Sequence, residues 1–278
     1  RQLPDQDLGR ITTFHGFCVG LLKEDCHVIQ YPSTFIILDE EDKEEILRQV
    51  FEDLGINSRD MTIKEAADHI GWRKGGRGYV KTLIGDTEKL QKLSEMATTL
   101  KDKVMYRYFY EQRKCYGLDF DDLVYFALYI LEQDRSVREK WQSRLEYIMV
   151  DEFQDIDKDQ YALADILSGY HKNLFVVGDP DQTIYTWRGA DVKFILEFDS
   201  RHKNVKTIYL NTNYRSVPQI LSASNALIDK NRDRLKKHLH SVRPDSRKPL
   251  YNNTKTNQLE ADWITANMRA MHDGGMSY

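Results

Sequence analysis

An adjacent aspartate and glutamate, Asp151 and Glu152, directly follow the apolar run from Tyr147 to Val150. At the tip of a buried strand, the first carboxylate can hold Mg²⁺ while the second polarises a water molecule for attack on a phosphate. This is the chemistry of nucleoside triphosphate hydrolysis. Because an isolated Asp-Glu pair also occurs in ordinary charged turns, its interpretation depends on the residues that follow it.

Two more apolar runs end in polar residues. Residues 174–177 precede Gly178 and Asp179, and residues 207–210 precede Asn211. Each run is four residues long, rich in β-branched or aromatic side chains, and separated from the next by a helix-length segment. This pattern predicts a parallel α/β sheet. Since ligands bind at the carboxyl ends of strands in such sheets, we expect the polar tips of the runs to converge on one crevice.

Four blocks of sequence carry these polar residues. They are Thr12 to Cys18, Val150 to Asp155, Val177 to Asp191 and Leu210 to Ser216. In that order they closely resemble the motifs of superfamily 1A DNA helicases of the UvrD/Rep/PcrA type, and the third block alone matches that family over some fifteen consecutive positions. The resemblance covers nearly the whole chain, weakly over residues 21–117 and strongly over residues 118–216.

The resemblance implies an ATP-dependent 3′–5′ DNA helicase, which couples ATP hydrolysis to movement on single-stranded DNA and to duplex unwinding. ATP and Mg²⁺ are the implied cofactors, with Asp151 as the metal ligand and Glu152 as the residue that activates water. Gln182 resembles the γ-phosphate sensor, a task that suits an amide because it both donates and accepts. Tyr214 resembles the residue that stacks on adenine, and Arg215 the one that stabilises charge on the γ-phosphate.

The same resemblance implies DNA contacts in two blocks. Tyr185, Trp187 and Arg188 supply aromatic faces and a cation, and such faces stack on unpaired bases without sequence preference at about 1–3 kcal/mol per base. Thr13 and His15 resemble the block that contacts the DNA backbone, although for His15 a structural role stays equally open. The implied partners are single-stranded DNA and junctions between single- and double-stranded DNA, together with repair or replication proteins.

The elements around these residues are expected to form an α/β fold. We expect a parallel RecA-like sheet flanked by helices, forming an incomplete motor domain, with an all-helical insertion. Residues 1–20 and 118–213 are assigned to the first motor domain (1A), residues 21–117 to the helical insertion (1B), and residues 214–278 to a linker and the start of a second motor domain (2A).

Capping signals predict the helices of the insertion. Asp39 is expected to cap a helix that ends at Gly55, and Thr62 to begin a capping box whose helix ends before Gly71. A single longer helix is predicted from about Asp86 through the apolar positions up to Tyr108. After the last block, a helix is expected to begin near residues 216–217, with a proline in its first turn.

Composition restricts the function less than the motifs do. With 41% hydrophobic and 30% charged residues and a net charge of −4, the chain suits a globular protein in which any nucleic-acid site is local. Cys18, Cys26 and Cys115 show no metal-ligand spacing, which indicates reduced thiols and a cytoplasmic setting. No apolar run approaches a membrane span. Two basic segments, residues 72–78 and 231–248, fit either solvated surface or phosphate contacts.

A phosphate-binding loop of the form G-x-x-x-x-G-K-[ST] is missing, since the sequence contains no Gly-Lys dipeptide. We therefore expect an internal fragment of the parent helicase that is inactive by itself. Two alternatives stay open: a non-catalytic DNA-binding or scaffold protein of helicase shape, and the helicase part of an AddA/RecB-like helicase-nuclease. The reading frame upstream of Arg1 would separate the enzyme from the scaffold protein.

Overall fold

The computed structural model describes residues 11–231 and 234–277. The first ten residues of the predicted motor segment, Arg232 of the basic stretch, and Tyr278 therefore lie outside the described residues. The chain divides into two compact units, the first ending at Phe198 and the second beginning at Asp199. Within the described ranges, no helix is both long enough and apolar enough to cross a membrane.

Helices dominate the first unit. In chain order its elements are α1 (Phe14–Asp25), β1 (Ile36–Ile37), α2 (Glu40–Leu54), α3 (Ile63–Lys74), α4 (Val80–Leu83), α5 (Thr87–Met96), α6 (Leu100–Lys114), β2 (Gly117–Leu118), α7 (Phe120–Gln133), α8 (Arg135–Arg144), β3 (Ile148–Val150), α9 (Lys158–Ser168), β4 (Leu174–Val176) and α10 (Lys193–Leu196). The short helix α11 (Phe198–Arg201) crosses the boundary between the units. The second unit contains β5 (Thr212–Asn213), α12 (Pro218–Ile228), β6 (His240–Ser241) and α13 (Asn257–Asp273).

The capping signals placed several helix ends correctly. Asp39 caps α2 through a capping box with Asp42, and Gly55 ends the helix in the left-handed conformation at φ 65°. Thr62 caps α3 as predicted, but the helix runs through Gly71 to Lys74, so the predicted end was wrong. The last turn of α3 persists because Lys74 is buried in an ion pair with α7, described below. The predicted proline in the first turn of α12 is confirmed.

The predicted single helix after Asp86 is in fact two helices. α5 ends at Met96, and Ala97 takes an extended conformation. Thr99 then caps α6, with its side chain accepting a hydrogen bond from the backbone N–H of Asp102. A continuous apolar face concealed this break because α5 and α6 fold back on each other, and the Ser94 hydroxyl donates to the Lys103 carbonyl over 3.0 Å.

Residues 21–117, which were predicted to be an all-helical insertion, contain the strand β1, so the all-helical expectation was wrong. β1 pairs in parallel with β2, with Ile36 opposite Gly117 and Ile37 opposite Leu118. A Cβ added to Gly117 would lie 2.6 Å from Leu38 Cδ1, so glycine permits this close approach. Strands of two residues are too short to show an alternation of apolar and polar residues, so these two strands could not be predicted.

A buried cluster of charges joins the end of α3 to the start of α7. Lys74 Nζ donates to Asp119 Oδ2 over 2.7 Å and to Asp122 Oδ2 over 2.8 Å. Tyr79 donates its hydroxyl to Asp122 as well. Arg77 pairs with Glu132 and with the largely buried Asp159, and Arg73 pairs with Asp102. All three basic residues in the segment 72–78 therefore make intramolecular ion pairs.

Among its described residues, the first unit contains two apolar cores. The larger one extends from Cys18 to Leu167 and buries the inward faces of α1, α7 and the insertion helices, including Trp141 and Phe126. The smaller one lies beneath β3 and β4. It consists of Val150, Phe153, Ile156, Ala164 and Phe194, with half-buried neighbours around them.

The parallel pairing of the first two apolar runs is confirmed. β3 and β4 pair with Ile148 opposite Leu174 and Val150 opposite Val176. The third run is not a strand: residues 207–210 have irregular backbone, and Leu210 is 80% exposed. The strand begins two residues later as β5 and pairs in parallel with β6 in a separate sheet. The apolar run failed as a signal because a strand also needs a partner for its backbone hydrogen bonds.

Candidate functional site

The paired ends of β3 and β4 bring the acidic pair beside the polar tip of the next strand. The backbone N–H of Val177 donates to the Val150 carbonyl over 2.9 Å, and that of Phe153 donates to the Val177 carbonyl over 2.9 Å. Asp151 and Glu152 are therefore held in the turn next to Gly178. Both acidic residues are exposed, as a site that receives a dissolved ligand requires.

Glu152 has an unusual backbone conformation. Its φ of 51° and ψ of 42° lie in the left-handed region, which residues other than glycine seldom adopt. Its backbone N–H donates to Asp151 Oδ1 over 2.9 Å, which supports this turn. Strained backbone of this kind is concentrated at functional sites, because it persists only where the surrounding structure fixes it.

Gln182 lies at the tip of β4, on the same edge as the acidic pair. It ends a short 3-10 helix that begins at Pro180, and its backbone N–H donates to the Asp179 carbonyl over 2.9 Å. The side-chain Nε2 donates to Asp179 Oδ2 over 2.8 Å. The structure thus brings Asp151, Glu152 and Gln182 to neighbouring strand ends, while their roles toward a nucleotide stay predictions.

Gln154 belongs to this site, although its residue type and spacing suggested no role for it. The side chain is 1% exposed, and it links Glu152 on one strand tip to Asp179 on the other. The only available signal was a polar amide between Phe153 and Ile156, two apolar residues that the small core buries. Such a pattern indicates a buried amide with fixed partners, but not which partners they are.

An exposed aromatic loop, residues 184–188, follows Gln182. Trp187 is 73% exposed, and the guanidinium carbon of Arg188 lies 4.7 Å from the centre of the Trp187 ring and 5.6 Å from that of Tyr185. Gly189 ends the turn at φ 93°, a conformation that favours glycine. Two rings that share a cation and face solvent can stack on planar ligands, nucleic-acid bases among them.

Thr13 and His15 have local roles in the fold. Thr13 caps α1, and its hydroxyl oxygen accepts from the backbone N–H of Gly16 over 3.1 Å. The half-buried ring of His15 packs edge-on against Phe120, with ring centres 5.7 Å apart. Thr13 is exposed, so its cap does not hide it from a ligand. Contact of either residue with DNA stays a prediction.

Tyr214 and Arg215 lie in the second unit, directly after β5. Asn213 Oδ1 accepts hydrogen bonds from the backbone N–H groups of Arg215, over 3.0 Å, and Ser216, over 2.7 Å, which forms the turn into α12. The Tyr214 side chain is 72% exposed, and its carbonyl accepts from Arg243 Nε over 3.0 Å. The predicted convergence of these residues with the tips of β3 and β4 stays a prediction.

Asp151, Glu152 and Asp179 bring several carboxylates to this edge. Among the described residues, no group of three or more His, Cys, Asp or Glu side chains could hold a metal ion by itself. Mg²⁺ commonly keeps several waters and uses one or two carboxylates together with the phosphates of a nucleotide. Asp151 therefore fits a magnesium ion that arrives with its nucleotide, rather than one held permanently by the protein.

The chain matches two helicase family models and is similar to curated helicases. Residues 5–203 match the family model of the UvrD/REP helicase N-terminal domain, and residues 208–277 match that of the UvrD-like helicase C-terminal domain. The chain is 34% identical over 269 residues to the ATP-dependent DNA helicase PcrA of Staphylococcus aureus, and 33% identical over 269 residues to that of Staphylococcus epidermidis. Each alignment covers 96% of this chain, and the chain spans 36% of the length of these curated relatives.

Proposed function

This chain belongs to the UvrD/REP helicase family, and from that membership we propose that it forms part of an ATP-driven motor that travels 3′ to 5′ on single-stranded DNA and unwinds duplex. The relatives named above are ATP-dependent DNA helicases, and they share 33–34% of their aligned residues with it. Junctions between single- and double-stranded DNA are the proposed substrate, and repair or replication proteins are the proposed partners.

The observation that carries the proposal is the pairing of two strand tips. Asp151 and Glu152 end β3, Gln182 follows β4, and the aromatic loop begins two residues after Gln182. Gln182, proposed to sense the nucleotide, and the aromatic loop, proposed to stack on bases, thus lie in one short segment of the chain. This arrangement supports a coupling between hydrolysis and grip on DNA.

In the proposed mechanism, ATP and water give ADP and phosphate. Mg²⁺ held by Asp151 would neutralise charge on the phosphates. Glu152 accepts a proton from the attacking water, for which its exposed carboxylate is accessible to solvent. Gln182 faces the γ-phosphate, and its amide can donate to a phosphate oxygen. In the second unit, Arg215 is proposed to stabilise transition-state charge, and Tyr214 to stack on adenine.

DNA contacts are proposed for two segments, the aromatic loop and the start of α1. Bases of the single strand stack on Tyr185 and Trp187, with Arg188 supplying positive charge near the backbone. Thr13 and His15, at the start of α1, are proposed to contact phosphates. For Thr13, the exposed hydroxyl that caps α1 supports this, because it can still donate to an anion while its oxygen accepts from the helix.

Glu152→Gln tests the proposal. In the complete natural protein, DNA-stimulated ATP hydrolysis should fall by at least about 10²-fold, because the amide cannot accept the proton. ATP binding, followed with a fluorescent nucleotide, should stay within about threefold, since the shape is unchanged. Hydrolysis that survives the substitution would remove Glu152 from this role. A wild-type protein that binds DNA but never hydrolyses ATP would favour the scaffold alternative.

A further inference from the structure

Gln154 is held between the two strand tips by three hydrogen bonds. Its side-chain Nε2 donates to Glu152 Oε2 over 2.8 Å and to Asp155 Oδ2 over 3.1 Å. Its Oε1 accepts from the backbone N–H of Asp179 over 3.0 Å. Both amide hydrogens and the amide oxygen are therefore used on partners from two different strand ends.

These partners fix the orientation of the amide. Ionised carboxylates only accept hydrogen bonds, and a backbone N–H only donates. A flipped amide would set its oxygen against Glu152 and Asp155 and its NH₂ group against the Asp179 N–H, which would lose all three bonds in a buried place. The glutamine thus has one stable orientation, and that orientation always presents a donor to Glu152.

The neutral Gln154 amide is a suitable hydrogen-bond donor for the proposed base, Glu152. It restricts the direction of the Glu152 carboxylate, which otherwise would rotate freely on an exposed turn. Unlike lysine or arginine, it brings no formal positive charge beside the carboxylate. The orientation of a catalytic group strongly affects the rate, since a misplacement of about 1 Å can lower the rate on the order of 10²-fold.

Gly178, at the tip of β4, allows the backbone there to approach the Gln154 amide closely. A Cβ at position 178 would lie 2.6 Å from Gln154 Oε1 and 3.1 Å from the backbone nitrogen of Phe153. Even a methyl group there would push the amide toward Glu152 or away from Asp179. Glycine is therefore needed at this position for close contact, and not for an unusual backbone conformation.

Asp155 extends the same network to the aromatic loop. Its Oδ2 accepts from Gln154, and its Oδ1 accepts from the backbone N–H of Ile184 over a longer distance of 3.4 Å. Ile184 is the first residue of the aromatic loop that contains Trp187. A single carboxylate thus joins the amide beside Glu152 to the loop proposed to stack on DNA.

We propose that Gln154 is a positioning residue, whose amide aims the Glu152 carboxylate and joins it to the tip of β4 and, through Asp155, to the aromatic loop. The inference rests on the proposed function, because it matters only if Glu152 acts on water. It adds that the alignment of the base depends on the position of the β4 tip and of the aromatic loop.

The test uses the complete natural protein and steady-state ATPase measurements with saturating single-stranded DNA. Gln154→Met keeps the length of the side chain and removes the donor. We expect kcat to fall on the order of 10- to 100-fold, with the KM for ATP changed less than about threefold, because aim and not binding is lost. The matched control is Gln112→Met, which removes another buried amide that donates to a carboxylate, that of Asp122. It should lower the melting temperature and leave kcat unchanged.

A second pair of variants keeps the inference testable if Gln154→Met does not fold. Gly178→Ala crowds the Gln154 amide, and Gly169→Ala crowds the amide of Gln142, where a Cβ would lie 2.8 Å from Nε2. Only the first change is next to Glu152, so only Gly178→Ala should lower kcat at temperatures well below melting. Equal kcat losses in both glycine variants would indicate a general effect of instability and overturn the inference.

The outcomes separate the two proposals. A wild-type protein without DNA-stimulated ATPase would contradict the proposed function itself. A wild-type protein that hydrolyses ATP, together with a folded Gln154→Met variant of unchanged kcat, would overturn only the role of Gln154. A variant in which the KM rises and kcat stays constant would also overturn it, since that result assigns the amide to nucleotide binding.

Discussion

Replacing Lys74 by methionine should destabilise the first unit more than any single surface change. The Lys74 ammonium is buried between Asp119 and Asp122, at 2.7 Å and 2.8 Å. Methionine has a similar length, so the loss is mainly electrostatic. Because removal of one partner leaves buried carboxylates without a counter-charge, the expected cost in free energy of unfolding is about 3–5 kcal/mol near neutral pH.

The pH dependence of this cost follows from the two carboxyls. Burial raises the pKa of Asp122 from 3.8 to about 6. Burial acts on Asp119 too, but there the charge and hydrogen bond of Lys74 outweigh it and lower the pKa. Asp122 is the group to follow, because its carboxylate is fully buried and also accepts from Tyr79 and Gln112.

The sign of the effect can be worked out from these directions. A carboxyl whose pKa is higher in the folded state binds more protons folded than unfolded, so stability is lost as the pH rises through the folded pKa. Without Lys74 the pKa of Asp122 rises further. The penalty of Lys74→Met should therefore shrink as the pH falls, by on the order of 1–3 kcal/mol between about pH 8 and about pH 5.

Urea unfolding of the wild type and the variant at both pH values measures this. The matched control is Lys43→Met, which removes an exposed i,i+3 pair with Glu40 and should cost less than about 0.5 kcal/mol at either pH. Adding Asp122→Asn to Lys74→Met should restore part of the stability, since it removes one unpaired charge. A penalty below about 1 kcal/mol, or one that does not change with pH, would refute the reasoning.

Two further predictions concern the aromatic loop and the insertion. Trp187→Ala should weaken binding of unrelated single-stranded DNA sequences equally, by about 1–3 kcal/mol in fluorescence anisotropy, because stacking is indifferent to base identity. Tyr170→Ala removes another exposed ring, 67% exposed at the end of α9, and should leave affinity unchanged; equal losses in both variants would assign the effect to something other than stacking. Gly117→Ala places a Cβ 2.6 Å from Leu38 Cδ1 between β1 and β2 and should cost about 1–3 kcal/mol in urea unfolding, whereas a change within about 0.5 kcal/mol would mean that Leu38 moves aside freely.

Local signals in the sequence were enough for several helix starts. Thr62 was recognised as a cap from its capping box with Glu65, Asp39 as a cap from its residue type before an apolar helical face, and Gly55 as a stop because the left-handed conformation favours glycine. The strands β3 and β4 were also found, since each apolar run ends at once in polar residues. In all these cases the residues that indicate an element lie within or directly next to that element in the chain.

Longer-range partners were beyond the same reasoning. The end of α3 depends on Lys74 meeting Asp122, 48 residues later, and the start of β2 depends on space beside Leu38. Neither of these contacts produces a periodic pattern of residue types in the sequence. The run at residues 207–210 has the composition of a strand, yet the described backbone there is irregular and β5 begins at Thr212. The composition of this run is typical of a strand, but composition does not show whether a partner strand is available to pair with it.

The candidate site shows the same limit at the level of side chains. Motif resemblance selected Asp151, Glu152 and Gln182, and the structure brings them to adjacent strand ends. Motif resemblance assigned no role to Gln154, because the proposed role of its amide depends on a hydrogen bond from the backbone N–H of Asp179, 25 residues away. The residues proposed to meet a ligand were therefore selected by motif resemblance, while the residue proposed to aim one of them required contacts.

The site is supported by the smaller of the two cores in the first unit. Val150, Phe153, Ile156, Ala164 and Phe194 form that core under β3 and β4, whereas the larger core is shared among many helices. A small core gives less free energy of burial, so the strand tips can shift at lower cost than α7 can. In the proposed motor, the nucleotide site would move in each cycle without unfolding. The division into a large core for stability and a small one beneath Glu152 fits that proposal, and it places Gln154 where such a shift would change the direction of the proposed base.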